Sequence, residues 1–328
     1  MKPLVSICCI TFNHADYISD ALDGFLQQET TFSFEILIHD DASTDGTVGI
    51  LRKYEVKYPE IIRVYYEDEN QYGKGTYKGG YVSGLLVPDA RGKYIAICEG
   101  DDYWCDKYKL QKQIDYLENH PECSEVCHAA CVIDGVTGDV LGTMGMGSIA
   151  CNLNGPDVID NWQIPTASRV RRKEHFAEYV NTWVFDKPVG DFPTAIYSTT
   201  KGYIHYEPKC MSVYRFQTPG SWTSRMQNPA ESCINSKRWI CMMESIDEIT
   251  HHEWHDNFLV AAKSYLGTIL GYSNSYTLSS FEKEIISKFD WQDYGKIVIK
   301  KLLRKLGFVI QSSGWGPSTH KRIVRNQH

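Results

Sequence analysis

The first hundred residues alternate short apolar runs with stretches in which apolar residues recur at helical spacing. Residues 5–10 form an apolar run that ends in the polar segment Thr11-Phe12-Asn13, which is typical of a strand buried on both faces of a parallel sheet. The same patterns predict further strands at 34–39, 61–66 and 92–98 and helices at 15–28 and 44–58. Alternating strands and helices predict a doubly wound α/β sheet, in which ligands bind at the carboxyl ends of the strands.

The composition is that of a globular protein, with 42% hydrophobic and 23% charged residues in a chain of 328. This length predicts about two domains, or one large α/β domain with an appendage. The net charge of -7 argues against nucleic acid as a partner, because phosphate binding needs a basic face. The eleven cysteines, an odd number, predict reduced thiols, and no apolar stretch has the length of a signal sequence or a membrane span. We therefore expect a cytoplasmic protein.

Acidic residues follow two of the predicted strands directly. Asp40 and Asp41 come at the end of the second strand, and Glu99, Asp101 and Asp102 follow the fourth. The chain has neither a G-x-G-x-x-G nor a G-x-x-x-x-G-K-[ST] loop, so a bound phosphate would need a metal ion. Residues two apart in an extended segment share a face, so Glu99 and Asp101 should point together, and such oxygen ligands suit Mg²⁺ or Mn²⁺.

Helix capping is the alternative interpretation of these polar strand ends. Ser43 or Thr44 with Asp45 is predicted to cap the helix at 44–58. A single acidic cluster would be explained by capping alone. Two clusters at neighbouring strand ends instead favour a site for a diphosphate and a metal ion.

The order and spacing of three segments, residues 5–13, 40–47 and 99–104, are similar to those of a known protein family. With them the chain resembles the family 2 glycosyltransferases of the GT-A fold over residues 4–120, and less closely to residue 216. The resemblance implies a Rossmann-like GT-A domain with a mostly parallel central sheet, which a helical C-terminal extension follows.

The resemblance also implies roles for the residues at the strand ends. In the family the second Asp after strand two contacts the nucleobase, usually uracil, and this residue is Asp41 here, with Thr11 and Asn13 nearby. The later acidic cluster is the DxD site, in which Asp101 with its neighbour would hold the ribose and a divalent metal of the sugar nucleotide. These four residues are our candidates for donor binding.

The candidate metal ligands are Glu99, Asp101 and Asp102. The usual pattern of the DxD site is D-x-D-D, and its first position is Glu99 in this chain. Which two of the three carboxylates touch the metal therefore stays open. The resemblance implies Mn²⁺ or Mg²⁺ as the ion.

Asp191 is the candidate catalytic base. The family's base is an acidic residue that opens a helix in the acceptor half, and residues 189–194 match it, followed by matching segments at 201–204 and 211–215. In an inverting transfer one carboxylate takes the proton of the acceptor hydroxyl as it attacks the anomeric carbon. The alternative is that Asp191 only caps the helix that carries Pro193. Relatives often have His where this chain has Gln217, which leaves the role of that loop open.

The C-terminal segment has a charge pattern of its own. Residues 292–328 hold eight Lys or Arg against one acidic residue. Between residues 296 and 310, six apolar residues form one stripe of a predicted helix: Ile299, Leu302, Leu303, Leu306, Val309 and Ile310. A basic amphipathic helix of this kind is typical of an element that lies on an anionic membrane surface. The alternative is a helix packed on the catalytic domain.

Two groups of residues with metal-ligand side chains are interpreted as structural. Cys123, Cys127 and Cys131 share one face of either a helix or a strand and are predicted to be buried thiols. The three histidines of residues 251–255 do not match H-E-x-x-H. We predict that they lie on a solvated helix face.

We predict a nucleotide-sugar-binding half at residues 1–105, an acceptor-binding half with the catalytic base at 106–225, and a helical region at 226–328. The expected function is a metal-dependent, inverting transfer of a sugar from a nucleotide sugar, UDP-linked, to a hydroxyl of a glycan or lipid-linked acceptor. The alternatives are a nucleotidyltransferase, which would release pyrophosphate, and a non-catalytic sugar-binding protein. The expected location is the cytoplasm, with a peripheral position on the inner face of the cell membrane if the basic helix binds lipid.

Overall fold

The computed structural model describes residues 2–72, 74–77, 80–183, 190–219, 221–273, 276–306, 308–313 and 320–325. Side chains are described throughout these ranges except at 177, 222, 224, 309–313 and 320–325. The described strands are β1 (Val5–Thr11), β2 (Phe34–Asp40), β3 (Ile62–Tyr66), β4 (Tyr94–Glu99), β5 (Tyr103–Trp104), β6 (Cys123–Asp134), β7 (Val140–Met144), β8 (Cys151–Leu153), β9 (Val170–Arg172), β10 (Tyr203–Phe216), β11 (Phe308–Ser313) and β12 (His320–Arg325).

The helices lie between these strands and in a C-terminal region of their own. They are α1 (Ile18–Leu26), α2 (Thr47–Lys57), α3 (Val87–Asp89), α4 (Lys109–Asn119), α5 (Gly155–Asp160), α6 (Lys173–Thr182), α7 (Asp191–Lys201), α8 (Trp222–Arg225), α9 (Pro229–Ile249), α10 (His255–Tyr272), α11 (Ser280–Ser287) and α12 (Trp291–Lys305). A π-helical turn at Val82–Leu86 precedes α3, and a 3-10 turn at Thr166–Ser168 precedes β9.

The described strands β1 to β10 form one sheet in the order β3-β2-β1-β4-β9-β6-β10-β5, with β7 paired to β6 and β8 to β10. β1 runs parallel to β2 and β4, β2 to β3, and β6 to β10. The short strands β5, β8 and β9 pair antiparallel with their neighbours. Thr11 pairs with Asp40 and Ile10 with Glu99, so β1, β2 and β4 end at one level. The predicted α/β class with a mostly parallel central sheet is confirmed.

The boundaries of the predicted elements shift by one to three residues. The predicted helices at 15–28 and 44–58 are α1 and α2, and each begins three residues later than predicted. The N-cap position of α2 is Gly46, and the Asp45 carboxylate beside it accepts a hydrogen bond of 2.9 Å from the Thr47 N–H, the first of the helix. Asp45 therefore bonds the start of α2 as predicted, whereas Ser43 Oγ accepts a hydrogen bond of 2.8 Å from the Asn13 N–H instead.

Two of the three hydrophobic cores among the described residues relate the sheet to its helices most directly. One lies between the N-terminal strands and helices α1 and α4. In the other, Trp239 of α9 and Leu266 of α10 are buried together with Tyr206 of β10. The C-terminal helices therefore share a core with the second half of the sheet, and the predicted helical extension is confirmed.

The C-terminal amphipathic helix begins and ends five residues before the predicted range of 296–310 does. α12 ends at Lys305 and β11 begins at Phe308, because the β-branched pair Val309-Ile310 favours a strand. Ile297 is buried, whereas Leu302 and Leu306 are 56% and 62% exposed. In the described ranges no helix is both long and apolar enough to cross a membrane.

Candidate active site

The carboxyl ends of β1, β2 and β4 meet at one edge of the sheet, because β1 lies between the other two strands. Asp40 ends β2 and Glu99 ends β4. The Asp41 N–H donates a hydrogen bond of 3.0 Å to the carbonyl oxygen of Thr11. The Gly100 N–H donates one of 2.9 Å to the carbonyl oxygen of Ile10, the residue before Thr11 in β1. The two acidic loops therefore flank the end of β1, as the sequence predicts.

Asp41 is buried, and both of its carboxylate oxygens accept hydrogen bonds. Oδ1 accepts from the Gln71 N–H at 2.7 Å, and Oδ2 accepts from the Tyr81 hydroxyl at 3.0 Å. Tyr81 is in turn stacked on His39 of β2, with the ring centroids 4.4 Å apart. The carboxylate predicted to contact the nucleobase is thus held in one orientation by groups that the sequence does not connect with it.

Asn13 joins the loops that follow β1 and β2. Its φ is 55°, a left-handed conformation that Asn tolerates better than most residues. Its N–H donates to Ser43 Oγ at 2.8 Å, and its Oδ1 accepts from the Thr44 N–H at 2.8 Å. Asn13 therefore fixes the shape of this edge of the sheet.

Gly100 packs closely against two buried polar atoms, at a distance that only a residue without a Cβ allows. A Cβ at this position would lie 2.9 Å from Thr11 Oγ1 and 2.9 Å from His14 Nδ1. In the described structure neither atom has a hydrogen-bond partner, although buried polar atoms are normally paired. Burial lowers the pKa of His14, which favours its neutral ring. A polar ligand beside Gly100 would satisfy both atoms.

The loop after β4 concentrates negative charge. Asp102 is 2% exposed, and its Oδ1 accepts a hydrogen bond of 2.9 Å from the Arg215 N–H. Burial first, and then the charge of Asp101, raise the pKa of Asp102 well above its usual value. Burial, followed by the charges of Asp101 and Asp191, raises the pKa of Glu99 to about 8. The carboxylates are therefore costly to ionise together without a compensating cation.

The three predicted metal ligands do not converge into one tight set. Among the described residues, Glu99, Asp101 and Asp102 do not place three ligand atoms within 4.8 Å of one another. Asp102 is bonded toward β10, and Asp101 Oδ2 accepts from the Thr218 hydroxyl at 3.1 Å. Magnesium sites in phosphate-handling enzymes commonly use one or two carboxylates and complete the shell with phosphate oxygens and water. The donor set therefore fits a divalent cation that arrives with a diphosphate.

Arg215 of β10 fixes the acidic loop, and the sequence gives no indication of this role. Its Nη1 donates to the Asp101 carbonyl oxygen at 2.7 Å, and its Nη2 pairs with the Asp20 carboxylate of α1. Its guanidinium carbon lies 4.6 Å from the ring centroid of Tyr103. The segment 211–215 stands out in the sequence, but Asp101 is 114 residues away from Arg215, so local spacing could not connect them.

Asp191 is the first residue of α7, as predicted for an acidic residue that opens a helix. The N-cap is Gly190, and the Asp191 carboxylate accepts from the Phe192 N–H at 2.9 Å and from the Thr166 hydroxyl at 3.3 Å. Its charge contributes to the raised pKa of Glu99. The structure therefore brings Asp191 within electrostatic range of the acidic loop, and its role as a base stays a prediction.

A buried ion pair holds the start of α7, and the sequence does not indicate it. Arg169 Nη2 donates to Glu125 Oε2 at 3.0 Å, and Arg169 Nη1 donates to the Asp191 carbonyl oxygen at 2.7 Å. The Ser198 hydroxyl donates to the same Glu125 oxygen at 2.7 Å. Burial favours the neutral acid, yet the charges of Arg169 and Arg171 lower the pKa of Glu125. The Arg169 guanidinium thus links the backbone of Asp191 to Glu125 of β6.

The sequence is similar to a known family and to several known proteins. Residues 6–170 match the family model for glycosyl transferase family 2. An uncharacterized protein of Mycobacterium tuberculosis is 35% identical over 222 residues, which are 67% of this chain and 61% of the relative. The chain thus spans about three fifths of that relative. The Escherichia coli UDP-Glc:alpha-D-GlcNAc-diphosphoundecaprenol beta-1,3-glucosyltransferase is 37% identical over 115 residues, 35% of this chain and 41% of the relative.

Solved structures show the same fold at low sequence identity. Residues 1–349 of S. aureus TarS, in complex with UDP-GlcNAc, align with a TM-score of 0.58 and 17% identity, covering 92% of this chain and 79% of that TarS fragment. A mannosyltransferase from Pyrobaculum calidifontis, in complex with GDP-Man and Mn²⁺, aligns with a TM-score of 0.52 and 16% identity, covering 93% and 88%. The predicted GT-A fold is confirmed by these likenesses.

Proposed function

The chain belongs to glycosyl transferase family 2, and from this we propose that it transfers a sugar from a nucleotide sugar to a hydroxyl of a glycan or lipid-linked saccharide. The observation that carries the proposal is the position of the acidic loop, residues 99–102, at the carboxyl end of β4 and beside the ends of β1 and β2. A transfer between two substrates needs one site for the donor diphosphate and one carboxylate for the acceptor proton. The acidic loop and Asp191 supply these two parts.

The donor nucleotide would lie at the carboxyl ends of β1 and β2. Asp41 would accept a hydrogen bond from the base, with Thr11 and Asn13 beside it, and Asp101 would contact the ribose. A UDP-sugar is the donor that we propose. It is supported by the donor in the name of the Escherichia coli relative and by the UDP-GlcNAc in the TarS complex.

A divalent cation, Mn²⁺ or Mg²⁺, would be held by two of Glu99, Asp101 and Asp102. When bound, such an ion neutralises the diphosphate and stabilises it as a leaving group. The raised pKa of Glu99 and Asp102 supports this role, because burial first and the neighbouring carboxylates second make their ionisation unfavourable without a cation. The Mn²⁺ in the Pyrobaculum calidifontis complex supports it independently.

Asp191 would act as the general base. Its carboxylate accepts the proton of the acceptor hydroxyl while that oxygen bonds to the anomeric carbon and the bond from this carbon to the diphosphate breaks. Attack from the face opposite the diphosphate inverts the configuration. The Thr166 hydroxyl and the Phe192 N–H orient the carboxylate, and Arg169 holds its backbone.

A lipid-linked acceptor would place the enzyme at a membrane surface. The Escherichia coli relative is named for a diphosphoundecaprenol-linked acceptor. α12 presents Trp291, Leu302 and Leu306 to solvent, while Ile297 on its other side is buried. Together with the exposed lysines at the two ends of residues 296–305, this face would rest on anionic lipid at the inner side of the membrane.

The test is a donor screen with the full chain. UDP-, GDP- and dTDP-linked sugars are incubated with the protein and Mn²⁺, and release of nucleoside diphosphate is followed. We expect slow hydrolytic release from one nucleotide class. Release of pyrophosphate in a parallel incubation with a nucleoside triphosphate and a sugar 1-phosphate would instead indicate a nucleotidyltransferase, and donor binding without any release at all would indicate a sugar-binding protein.

A further inference from the structure

The turn between α9 and α10 gathers three side chains that are metal ligands in other proteins. Asp247 lies in the last turns of α9, and His252 and His255 follow in the turn and at the start of α10. His252 Nδ1 and His255 Nδ1 lie 2.8 Å and 2.7 Å from the same oxygen, Asp247 Oδ2. All three ligand atoms lie within 4.8 Å of one another. The sequence predicted that these histidines lie on a solvated helix face. In the structure His252 and His255 instead contact one carboxylate at a turn between two helices.

The carboxylate at the centre of this group is buried and incompletely bonded. The Asp247 side chain is 2% exposed. Its Oδ1 has no hydrogen-bond partner in the described structure, although an unpaired oxygen of a buried carboxylate is costly. Both imidazole nitrogens contact the other oxygen, Oδ2. A cation bound by these three residues would compensate the charge of the carboxylate, and Oδ1, which has no other partner in the described structure, is available as a second ligand oxygen.

His255 has a second carboxylate on the other side of its ring. Its Nε2 lies 3.0 Å from Glu284 Oε2 of α11. Metal-bound histidines usually donate their second ring N–H to a carboxylate, which fixes the tautomer and the ring plane. With Nε2–H directed at Glu284, the lone pair of Nδ1 points toward Asp247 and is available to a metal. The arrangement has the carboxylate–histidine–metal order that this chemistry requires.

Without a metal the same contacts need a protonated His255, and the hydrogen bond to Asp247 raises the pKa of this histidine. His255 faces a carboxylate oxygen with each ring nitrogen, so it can donate to both only as the imidazolium. His252 directs its Nδ1 at the oxygen that His255 already contacts. Two donors then share Oδ2 while Oδ1 receives none. One cation bound by the three residues removes this imbalance.

We propose that Asp247, His252 and His255 form a site for a divalent transition metal, with Zn²⁺ as the ion that the donors favour. Two imidazoles and one carboxylate are a common zinc set, and a water molecule would complete four ligands. Glu284 supports the site without binding the ion. The bound metal would join the end of α9, the start of α10 and, through Glu284, α11. It would therefore stabilise the helical region, away from the acidic loop of the proposed active site.

The experiment compares Zn²⁺ binding by full-length variants after treatment with EDTA. His252→Asn and His251→Asn are a matched pair, because the two residues are neighbours with φ of 61° and 54° and Asn tolerates that conformation. Only His252 belongs to the proposed site. Because Zn²⁺ can also bind the acidic loop, the pair is made in a chain that carries Asp101→Asn and Asp102→Asn. Calorimetry measures affinity and stoichiometry, and circular dichroism confirms folding.

We expect one Zn²⁺ per chain with the His251→Asn change and at least a tenfold weaker affinity with His252→Asn. Glu284→Gln should weaken binding by about 10- to 100-fold, as for other supporting carboxylates. Thermal unfolding should shift upward with Zn²⁺ only in chains that keep the site. Equal Zn²⁺ affinities for the matched pair, or no binding by the chain with an intact site, would overturn the proposal and leave a hydrogen-bonded cluster.

Discussion

The guanidinium of Arg169 donates a hydrogen bond of 2.7 Å to the backbone carbonyl oxygen of Asp191. The same guanidinium is paired with Glu125 of β6, and both charged side chains are fully buried. The first turn of α7, which carries the proposed base, is therefore attached to the sheet by a fixed charge. Glu125 depends on this contact in turn, because a buried carboxylate without its partner is strongly destabilising.

Arg169→Met should lower the free energy of unfolding by up to about 3–5 kcal/mol, since it breaks the buried pair and leaves Glu125 with Arg171, 3.4 Å away, as its charged partner. Denaturant unfolding measures the change. The exposed pair of Lys93 and Glu118, 2.8 Å apart, provides the control, and Lys93→Met should cost no more than about 1 kcal/mol. A loss of less than about 1 kcal/mol for Arg169→Met would contradict the assigned role of the pair.

Asp191→Asn keeps the size of the side chain and can still accept from the Phe192 N–H, but it removes the proposed base. We expect turnover to fall by roughly 10²-fold or more, while donor affinity is unchanged. Steady-state kinetics and calorimetry with the donor separate the two effects. Glu174→Gln is the control, because Glu174 lies in the first turn of another helix, α6. Transfer close to the wild-type rate would reduce Asp191 to a helix-terminal residue.

The sequence predicted the parts of this fold that depend on local pattern. The strands β1, β2 and β4 are short, mostly apolar runs in which nearly every residue is buried, so their pattern and length identify them. The acidic residues follow these strands directly, so parallel pairing alone brings Asp41 and Glu99 to one edge of the sheet. Family resemblance then supplied Asp191, which periodicity could not link to the acidic loop.

The contacts that position the site could not be predicted in the same way. Arg215 reaches Asp101 across 114 residues, and Arg169 reaches Glu125 across 44. Each Arg bonds to a partner that is distant in the sequence, and no local spacing of residues identifies that partner. The prediction for the histidines of residues 251–255 was wrong for a related reason. Their spacing in the sequence does not show that the turn after α9 brings two of them into contact with Asp247.

Asp101→Asn and Glu99→Gln should each weaken Mn²⁺-dependent donor binding by at least tenfold, because each removes a charge that is proposed to face the metal and diphosphate. Asp102→Asn tests the third candidate in the same assay. Calorimetry with and without EDTA gives the measurement, and Asp115→Asn, an exposed position on α4, is the control. Donor affinity that EDTA leaves unchanged in the wild type would rule out a metal at this loop.

Lys109 makes stability depend on pH at alkaline values. It is fully buried, and burial lowers its pKa to about 7, so between pH 7 and its ordinary pKa the unfolded chain binds a proton that the folded chain does not. The cost of burying this charge is complete below pH 7 and declines as the pH rises, by up to about 1.4 kcal/mol per pH unit.

Lys109→Met should therefore show its most favourable stability relative to wild type at pH 6, and this relative advantage should shrink toward pH 10. The comparison of pH values also cancels the constant cost of leaving Gln113 Oε1 without its 2.8 Å hydrogen bond. Denaturant unfolding at both pH values measures it. Lys53→Met, at an exposed position of α2, should show no such trend. A pH-independent difference for Lys109→Met would mean that its amine stays charged when buried.

The exposed face of α12 can be tested by point substitution. Truncation after Gln292 would be ambiguous, because it also removes the buried Ile297 and the 2.7 Å ion pair between Lys263 and Asp293. Leu302→Ser combined with Leu306→Ser changes only exposed side chains and should leave the melting temperature close to that of wild type. Val56→Ser is the control, because Val56 is an exposed apolar residue on α2, at a different place on the surface.

Co-sedimentation with vesicles of phosphatidylglycerol and phosphatidylcholine measures the association. If α12 rests on the membrane, the full chain should sediment with anionic vesicles at low salt and much less at high salt, because basic residues contribute about 1 kcal/mol each near an anionic surface and salt screens them. Removing two leucines from the acyl boundary should reduce binding at least tenfold, and Val56→Ser should have no effect. An intact chain that stays in the supernatant at both salt concentrations would exclude the membrane role and leave the leucine face as a surface for a protein partner.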